Sequence, residues 1–298
     1  MMSIAIGAAD AARRGFVGVV TGIDLRRPLG AAEVAAIEGG MDRFGVLVFR
    51  DQALDDEQQL VFSRNFGVLE TATGDIAQGA ERRLGMELND ISNVDKDGRV
   101  LARDDRRRLF GLGNMLWHSD SSFKAVPAKY SILSARVIPA KGGNTEFADM
   151  RGAWDALDGE TRGLVEGLVC EHTQIHSRGI LGFSDFTDEE RVRFAPVLQV
   201  LVRVHPVTGR RSLFLSSHAG GIVGWPVPEA RALLRDLVEH ATQREHVHAH
   251  VWAEHDLVMW DNRATMHRAR RYDPAERRDL RRTTVASDGP TVMRMAAE

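Results

Sequence analysis

Two histidines and an aspartate are the residues of this chain whose types and spacing best suit metal binding. His118 and Asp120 are separated by one residue, and His267 follows far downstream. Side chains two residues apart on a β-strand point to the same side, so His118 and Asp120 could reach one ion. Two histidines and a carboxylate form the facial triad of non-haem Fe(II) oxygenases, which leaves the other coordination positions open. The spacing predicts an iron site whose third ligand comes from a distant strand.

The His-x-Asp pattern is a weak signal when it is taken alone, because a chain of this length contains it about once by chance. A surface histidine beside a solvated aspartate is then the commoner explanation. The residues around the pattern therefore decide between a metal site and a solvated surface.

Arginines downstream of His267 supply a second chemical signal. Arg278 and Arg282 are four residues apart and share one face if this stretch is a strand. A guanidinium binds a carboxylate through two hydrogen bonds, so two such groups beside an iron could hold two different acids. The alternative is a basic surface, because residues 268–282 contain seven arginines. Nucleic-acid binding is disfavoured, since Tyr272 is the one aromatic residue in that segment and the net charge is −3.

Three further histidines alternate with apolar residues on another candidate strand: His246, His248 and His250. The apolar alternates in residues 247–251 are expected to face the core, so these histidines are predicted to face solvent. Adventitious metal binding is the alternative. The single cysteine, Cys170, excludes an internal disulfide and is predicted to be inert packing at a helix end.

Composition is that of an ordinary globular protein, with 43% hydrophobic and 27% charged residues in 298. The first residues lack the basic and apolar regions of a signal peptide, and no apolar run is long enough to span a membrane. A single cysteine is typical of a reducing compartment. We therefore expect a cytoplasmic protein with one domain over residues 1–298.

The elements that must position these residues can be placed approximately from hydrophobic periodicity. Predicted strands cover residues 16–20, 45–49, 129–137, 198–205, 212–216, 245–252, 257–260 and 281–286. Predicted helices cover residues 31–42, 56–66 (capped by Asp55), 151–158, 159–168 and 228–243. Residues 176–196 are predicted to be a loop, and residues 70–114 an active-site lid or binding loop. The pattern favours an antiparallel β core with flanking helices.

Six segments give the chain a family resemblance: residues 90–94, 116–123, 142–147, 256–263, 270–273 and 280–282. In these segments, and over residues 19–286 as a whole, the chain resembles the taurine dioxygenase/2,4-dichlorophenoxyacetate dioxygenase family of Fe(II)/2-oxoglutarate oxygenases. It looks most similar to the 2,4-dichlorophenoxyacetate (aryloxyalkanoate) branch. The resemblance implies a mixed α and β fold with a double-stranded β-helix, or jelly roll, at its core.

The resemblance also implies roles for individual residues. The catalytic iron ligands would be His118, Asp120 and His267. The distal carboxylate of the co-substrate 2-oxoglutarate would bind Thr145 and Arg278, and Trp260 would line that pocket. The carboxylate of the prime substrate would bind Arg282, and the substrate pocket would include Asn114 and His218. The implied cofactors are Fe(II), 2-oxoglutarate and O2, with ascorbate helpful in vitro.

The reaction that this branch implies is hydroxylation of the carbon next to the ether oxygen of an aryloxyacetate, giving a phenol and glyoxylate with succinate and CO2. Taurine is disfavoured, because the taurine enzymes use a tyrosine upstream of the metal motif and this chain has only Tyr130 and Tyr272, both downstream. The alternatives are the same chemistry on an alkyl sulfonate or arylalkanoate, and a β-barrel protein that binds small acids without catalysis. The expected partner is a small-molecule carboxylate, with homo-oligomers possible and neither nucleic acid nor membrane.

Overall fold

The computed structural model describes residues 4–10, 15–72 and 82–292. Residues 1–3, at the start of the segment tested for a signal peptide, and residues 73–81, within the predicted lid, lie outside these ranges. Within them the strands are β1 Ala5–Ala8, β2 Val17–Thr21, β3 Val46–Phe49, β4 Asn89–Ser92, β5 Ala128–Val137, β6 Thr145–Asp149, β7 Val169–His172, β8 Val197–Val200, β9 Val202–Val204, β10 Arg211–Leu213, β11 Ala219–Ile222, β12 Val247–His250, β13 Leu257–Asp261, β14 Thr265–Ala269 and β15 Asp279–Ala286. The helices are α1 Ala31–Phe44, α2 Asp56–Arg64, α3 Arg106–Gly111, α4 Met150–Ala156, α5 Gly159–Val165, α6 Gln174–Ile180, α7 Asp188–Arg193 and α8 Val227–Ala241.

The main sheet of the described residues has seven strands in the order β1-β2-β3-β13-β5-β15-β4. All of its pairs are antiparallel except β2 with β3. Two smaller antiparallel sheets have the orders β12-β6-β14 and β11-β7-β8, and β9 pairs with β10. The prediction of a mixed fold with an antiparallel β core is thus confirmed, and the short crossover between β2 and β3 is helix α1.

The central strands β3 and β13 of the main sheet are buried on both faces, which explains why they are continuous apolar runs in the sequence. On β13, Leu257 and Met259 pack in a cluster with residues of α1 and α2. The alternate residues, Val258 and Trp260, pack on the opposite face against Phe147 of β6. Because side chains alternate along a strand, β13 contacts the helices with one face and the β12-β6-β14 sheet with the other.

Local signals set the ends of the flanking helices. Asp55 accepts a hydrogen bond from the backbone of Gln58 at 2.8 Å, and the Gln58 side chain accepts one from the backbone of Asp55 at 2.9 Å. This reciprocal capping box confirms the predicted start of α2. Helix α1 ends at Gly45, whose φ of 79° lies in the left-handed region that glycine enters without strain.

Several sequence predictions were wrong, because short elements have weak periodicity. Residues 70–114 were predicted to form an irregular loop, but the described residues of this segment contain strand β4 and helix α3, and β4 pairs with β15 of the main sheet. The predicted loop at 176–196 contains α7 and the end of α6. Strand β14, which carries His267, has no counterpart among the predicted elements.

The second histidine cluster also differs from its prediction. His250 is buried and hydrogen-bonds to Asp256 at 3.1 Å, whereas Ala249 and Val251 are exposed. The alternation of β12 is thus the reverse of the predicted one. Cys170 lies on strand β7 rather than at a helix end, but it is buried and its thiol pKa is raised to about 12 by burial, as expected of inert packing. No helix in the described ranges combines the length and apolar character that crossing a bilayer requires.

Candidate metal centre and substrate cavity

The two histidines of the predicted triad are brought together by an antiparallel bridge between their backbones. The amide of His118 donates to the carbonyl of His267 at 3.0 Å, and the amide of His267 donates back at 2.9 Å. The ring centroids are 4.2 Å apart. Asp120 lies in the turn that follows this bridge, so His118 and Asp120 do not share a regular strand as the spacing predicted. All three residues are buried, and one ligand atom from each lies within 4.8 Å of the others.

Hydrogen bonds orient the ligand atoms toward one point. Nδ1 of His118 lies 2.8 Å from the carbonyl oxygen of Leu116, which fixes Nδ1 as the protonated nitrogen and leaves Nε2 free to coordinate. This Nε2 lies 3.8 Å from Oδ1 of Asp120, and Nε2 of His267 lies 3.7 Å from Oδ2. Two imidazole nitrogens and a carboxylate in this arrangement fit a facial triad. Within the described residues, His246, His248 and His250 form no comparable group.

The protonation states also suit a metal site. Burial lowers the pKa of His118, and burial together with neighbouring His118 places the pKa of His267 well below its ordinary value. Burial opposes ionisation of Asp120, but the charge of Arg282 and the two histidines outweigh it and hold this pKa at about 2. At neutral pH the donors are thus two neutral imidazoles and a carboxylate, as metal coordination requires.

A second layer of hydrogen bonds holds Asp120, and most of it was missed by the sequence reasoning. Ser131 on β5 donates to Oδ2 of Asp120 at 2.7 Å, and Asn262 donates to Ser131 Oγ at 2.9 Å. The Asn262 carbonyl oxygen accepts from the backbone of Asp120 at 3.0 Å and from Trp260 Nε1 at 3.1 Å. Asn262 and Trp260 carried a sequence signal, since both lie in the segment 256–263, whereas Ser131 carried none.

A small cavity beside the metal ligands contains five of the residues predicted to contact small molecules: Asn114, Thr145, Trp260, Arg278 and Arg282. His118 and His267 line the same cavity. Residues from four separate segments of the chain thus converge there.

Arg278 is a buried cation without a carboxylate partner among the described residues. It is 5% exposed and donates to the carbonyl of Ile91 at 3.1 Å, with the ring of Tyr272 5.6 Å from its guanidinium carbon. Burial lowers its pKa. Thr145 lines the same cavity and accepts a hydrogen bond from Trp252 Nε1 at 3.0 Å, a contact that the sequence did not predict. An unpaired guanidinium and an oriented hydroxyl can together bind a carboxylate.

Arg282 was predicted to bind the carboxylate of the prime substrate, but part of its guanidinium is already hydrogen-bonded within the protein. Its Nη1 donates to Oδ1 of Asp120, which makes it a partner of the candidate metal ligand. Its Nε is buried without a hydrogen-bond partner in the described structure. Arg282 can therefore hold Asp120 and still offer a donor to an acid beside the metal.

His218 was predicted with Asn114 as a pocket residue, but it lines a second, wider cavity rather than the small one. This cavity measures about 920 Å³ and also includes the metal ligands His118 and Asp120. His218 packs edge-on against Phe123 with ring centroids 4.9 Å apart, and its Nδ1 lies 2.9 Å from Ser177 Oγ. Burial places its pKa well below the ordinary value, so His218 is neutral. Described residues of the segment 70–114 form part of the wall, which suits their predicted position over the site.

A buried triad between antiparallel sheets, open to a cavity with buried arginines, defines a candidate metalloenzyme centre. Comparison with known proteins then gives the family: a model of the "Taurine catabolism dioxygenase TauD, TfdA family" matches residues 9–284. The chain belongs to this family, and the resemblance predicted from the sequence is confirmed.

Individual relatives agree with this assignment. The chain is 50% identical over 273 residues to an "Alpha-ketoglutarate-dependent 2,4-dichlorophenoxyacetate dioxygenase" of Cupriavidus pinatubonensis (strain JMP 134 / LMG 1197), covering 92% of this chain and 95% of the relative. It is 39% identical over 264 residues to a "(S)-phenoxypropionate/alpha-ketoglutarate-dioxygenase" of Delftia acidovorans, with 85% and 86% covered. A solved structure, "Crystal structure of AAD-2 in complex with Mn(II) and N-oxalylglycine", superposes with a TM-score of 0.94 at 58% identity, covering 98% of this chain and 100% of that chain.

Proposed function

We propose that this protein is an Fe(II)- and 2-oxoglutarate-dependent dioxygenase acting on an aryloxyacetate of the 2,4-dichlorophenoxyacetate type. The observation that carries the proposal is the buried cluster of His118, Asp120 and His267 opening on a cavity with an unpaired, buried Arg278. A relative with 50% identity is an alpha-ketoglutarate-dependent 2,4-dichlorophenoxyacetate dioxygenase, which supports the substrate class.

The reaction balances as one O2, one 2-oxoglutarate and one aryloxyacetate giving succinate, CO2, a phenol and glyoxylate. One oxygen atom of O2 enters succinate, and the other enters the carbon between the ether oxygen and the carboxylate. The resulting hemiacetal breaks its bond to the ether oxygen, which leaves as the phenol. An iron ion bound by His118, Asp120 and His267 would supply the redox chemistry that couples these two oxidations.

The chain's own residues bind and orient the two acids. Thr145 and Arg278 are placed to hold the distal carboxylate of 2-oxoglutarate, and Trp260 forms a wall of the same cavity. The interaction with Arg278 is strengthened by its burial, because charges attract more strongly where water is excluded. Arg282, with its unpaired Nε beside Asp120, is the proposed contact for the carboxylate of the prime substrate.

The wider cavity accommodates the body of the prime substrate. Its wall includes the apolar and aromatic residues Phe110, Phe123 and Leu181 close to Asn114 and His218, together with many charged groups, most of them arginines. Such a lining suits an aromatic ring whose acid group is held near the metal. Positioning of this kind turns the reactive C–H toward the oxidant and accounts for the protein's contribution to rate.

The finer structural expectations belong to the same proposal. We propose that the main sheet and the β12-β6-β14 and β11-β7-β8 sheets form a double-stranded β-helix within one domain over residues 1–298. Their antiparallel pairing and the packing of Trp260 against Phe147 across the sheets support it. The segment 70–114 is the proposed cover of the active site, and the proposed compartment is the cytoplasm.

Succinate formation tests the proposal. Purified protein with Fe(II), ascorbate and 2-oxoglutarate is screened against aryloxyacetates, 2-aryloxypropionates, arylalkanoates and alkyl sulfonates. We expect aryloxyacetates to stimulate succinate release most strongly, and we expect phenol to form in an amount equal to the succinate. Stimulation by sulfonates or arylalkanoates alone would replace the substrate class, and binding of acids without succinate release would identify a non-catalytic binding protein.

A further inference from the structure

Arg178, on helix α6, is a buried cation that the proposed roles leave unused. It is 5% exposed, and no carboxylate of the described residues forms an ion pair with its guanidinium. Nη1 donates to Ser177 Oγ at 3.1 Å, and Nε is buried without a partner. Burying a charge without a counter-charge is costly, so this arrangement needs a reason.

The neighbouring segment is shaped to receive the guanidinium. A Cβ atom on Gly113 would lie 2.3 Å from Cζ of Arg178, so only glycine leaves room for the guanidinium there. The ring of Phe110 lies 4.4 Å from the same Cζ, a cation–π contact that stabilises the charge without neutralising it. Burial lowers the pKa of Arg178 to about 10, which still leaves it charged at neutral pH.

The position of Arg178 places this charge in the substrate cavity. Arg178 lines the wide cavity together with His118, Asp120 and His218, but it does not line the small cavity. Ser177 links Arg178 to His218, since its Oγ lies 2.9 Å from His218 Nδ1.

The distribution of cations favours a ligand outside the small cavity. Arg278 and Arg282 both line the small cavity, where Arg278 would hold the distal carboxylate of 2-oxoglutarate and Arg282 already bonds to Asp120. Some other arginines of the wide cavity have carboxylate partners, such as Arg83 with Asp279 at 2.6 Å, and Arg103 and Arg271 are exposed to solvent. Arg178 therefore offers a buried, uncompensated charge where the prime substrate would lie.

We propose that Arg178 is a specificity-determining residue that, with His218 beside it, binds the anionic group of the prime substrate in addition to Arg282. The inference rests on the proposed function in one respect, namely that the prime substrate is an organic acid. It assigns helix α6 a direct role in selecting that acid.

Equilibrium binding tests the inference separately from turnover. The full-length protein, loaded with Mn(II) and N-oxalylglycine, is titrated with aryloxyacetates, arylalkanoates and alkyl sulfonates, each paired with its uncharged amide. We expect the wild-type protein to prefer the acid. Arg178→Met should raise the Kd of the acid about 10- to 100-fold, because a hydrogen bond to a charged group is lost. The Kd of the amide should stay within about twofold, as should the KM for 2-oxoglutarate measured in a separate turnover assay with Fe(II), and Arg178→Lys should recover part of the loss.

Arg203 provides a matched control. It likewise has no carboxylate partner in the described part of the chain, its Cζ lies 4.8 Å from the centroid of the Phe214 ring, and its pKa is also lowered to about 10, but it lines neither cavity. Arg203→Met should leave the preference for acid over amide unchanged. Thermal unfolding of all variants separates loss of folding from loss of binding, and Arg178→Lys retains the charge if Arg178→Met does not fold.

The outcomes divide clearly. Equal losses for acid and amide, a rise in the 2-oxoglutarate KM, or no acid preference in the wild-type protein would each overturn the inference. A preference for sulfonates that disappears in Arg178→Met would support the role of Arg178 in binding the anionic group, and it would replace the proposed substrate class. If the protein binds the acid through Arg178 but releases no succinate, the result would support the binding role of Arg178 and contradict the proposed reaction.

Discussion

Ser131 on β5 donates a 2.7 Å hydrogen bond to Oδ2 of Asp120, the carboxylate of the candidate metal triad. Ser131 is itself held by Asn262, which also accepts from the backbone of Asp120. The carboxylate is therefore oriented by the Ser131 hydroxyl within β5 and by the Asn262 amide directly after β13, before any ion binds. Such outer partners commonly set the affinity of a metal site.

We expect Ser131→Ala to weaken metal binding about 10- to 100-fold, because Asp120 loses the hydrogen bond that fixes its orientation. Mn(II) titration followed by electron paramagnetic resonance measures the affinity. Ser134→Ala is the control, since Ser134 is buried on the same strand but bonds to Gln59 at 2.6 Å instead. Equal metal affinity in the two variants would contradict a positioning role for Ser131.

His118→Ala should abolish succinate formation, because the triad loses one of its two nitrogen ligands. Bound iron per protein, measured after removal of free metal, should fall in parallel. Full metal content with lost activity would instead assign His118 a role other than coordination. Circular dichroism checks that the fold is retained.

Arg278 and Arg282 should divide the two acids between them. Arg282→Ala should raise the KM of the prime substrate far more than that of 2-oxoglutarate, and Arg278→Ala should do the reverse, because each removes binding to one acid. Initial-rate kinetics with each substrate varied in turn gives both values. Equal effects of one substitution on both KM values would rule out the division of roles.

Stability in acid should depend on His172, which lies outside the cavities. Its ring stacks on Phe214, neither ring nitrogen has a hydrogen-bond partner among the residues that the structure describes, and burial lowers its pKa to about 3. The unfolded chain binds a proton below about pH 6.5. Because the folded pKa is depressed, the stabilisation is complete above pH 6.5 and is lost as the pH falls toward 3.

His172→Phe should remove this contribution. Between pH 6 and 4, the free energy of unfolding should fall as the pH is lowered in both proteins. The slope should be smaller in the variant than in the wild-type protein by about 1.4 kcal/mol per pH unit. Urea unfolding at pH 8, 6, 5 and 4 measures the difference, and the values at pH 8 provide the reference. Parallel slopes in both proteins would show that His172 titrates normally.

The rim of the wide cavity should attract anions. Arg103 and Arg271 are exposed there, although the whole chain has a net charge of −3. Reversing both to Glu should lower kcat/KM for the acid several-fold at low ionic strength and weaken its salt dependence, with kcat unchanged. Reversal of Arg191 and Arg193, which are exposed on α7 and do not line either cavity, is the control. A matching loss in the control would attribute the effect to net charge alone.

Long apolar runs made most of the large elements predictable. Strands β3, β5 and β13, helices α1, α2 and α8, and the hairpin of β9 and β10 were placed within a few residues, because burial and capping leave local patterns. Strand β4 and helix α7 were missed, because they are short and polar. The orientation of His250 was predicted wrongly, since apolar alternates on β12 are exposed at the sheet edge while Asp256 compensates the buried imidazole.

The sequence by itself determined the chemistry available to this protein: two histidines and an aspartate for a metal, arginines for acids, and the family to which the chain belongs. These depend on residue type and spacing, which the chain carries directly. Only the tertiary structure decided that Arg282 bonds to Asp120, that Ser131 orients the same carboxylate, and that Arg178 lies uncompensated beside the site. Those relationships join residues far apart in the chain, and they exist only because the packed sheets exclude water around them.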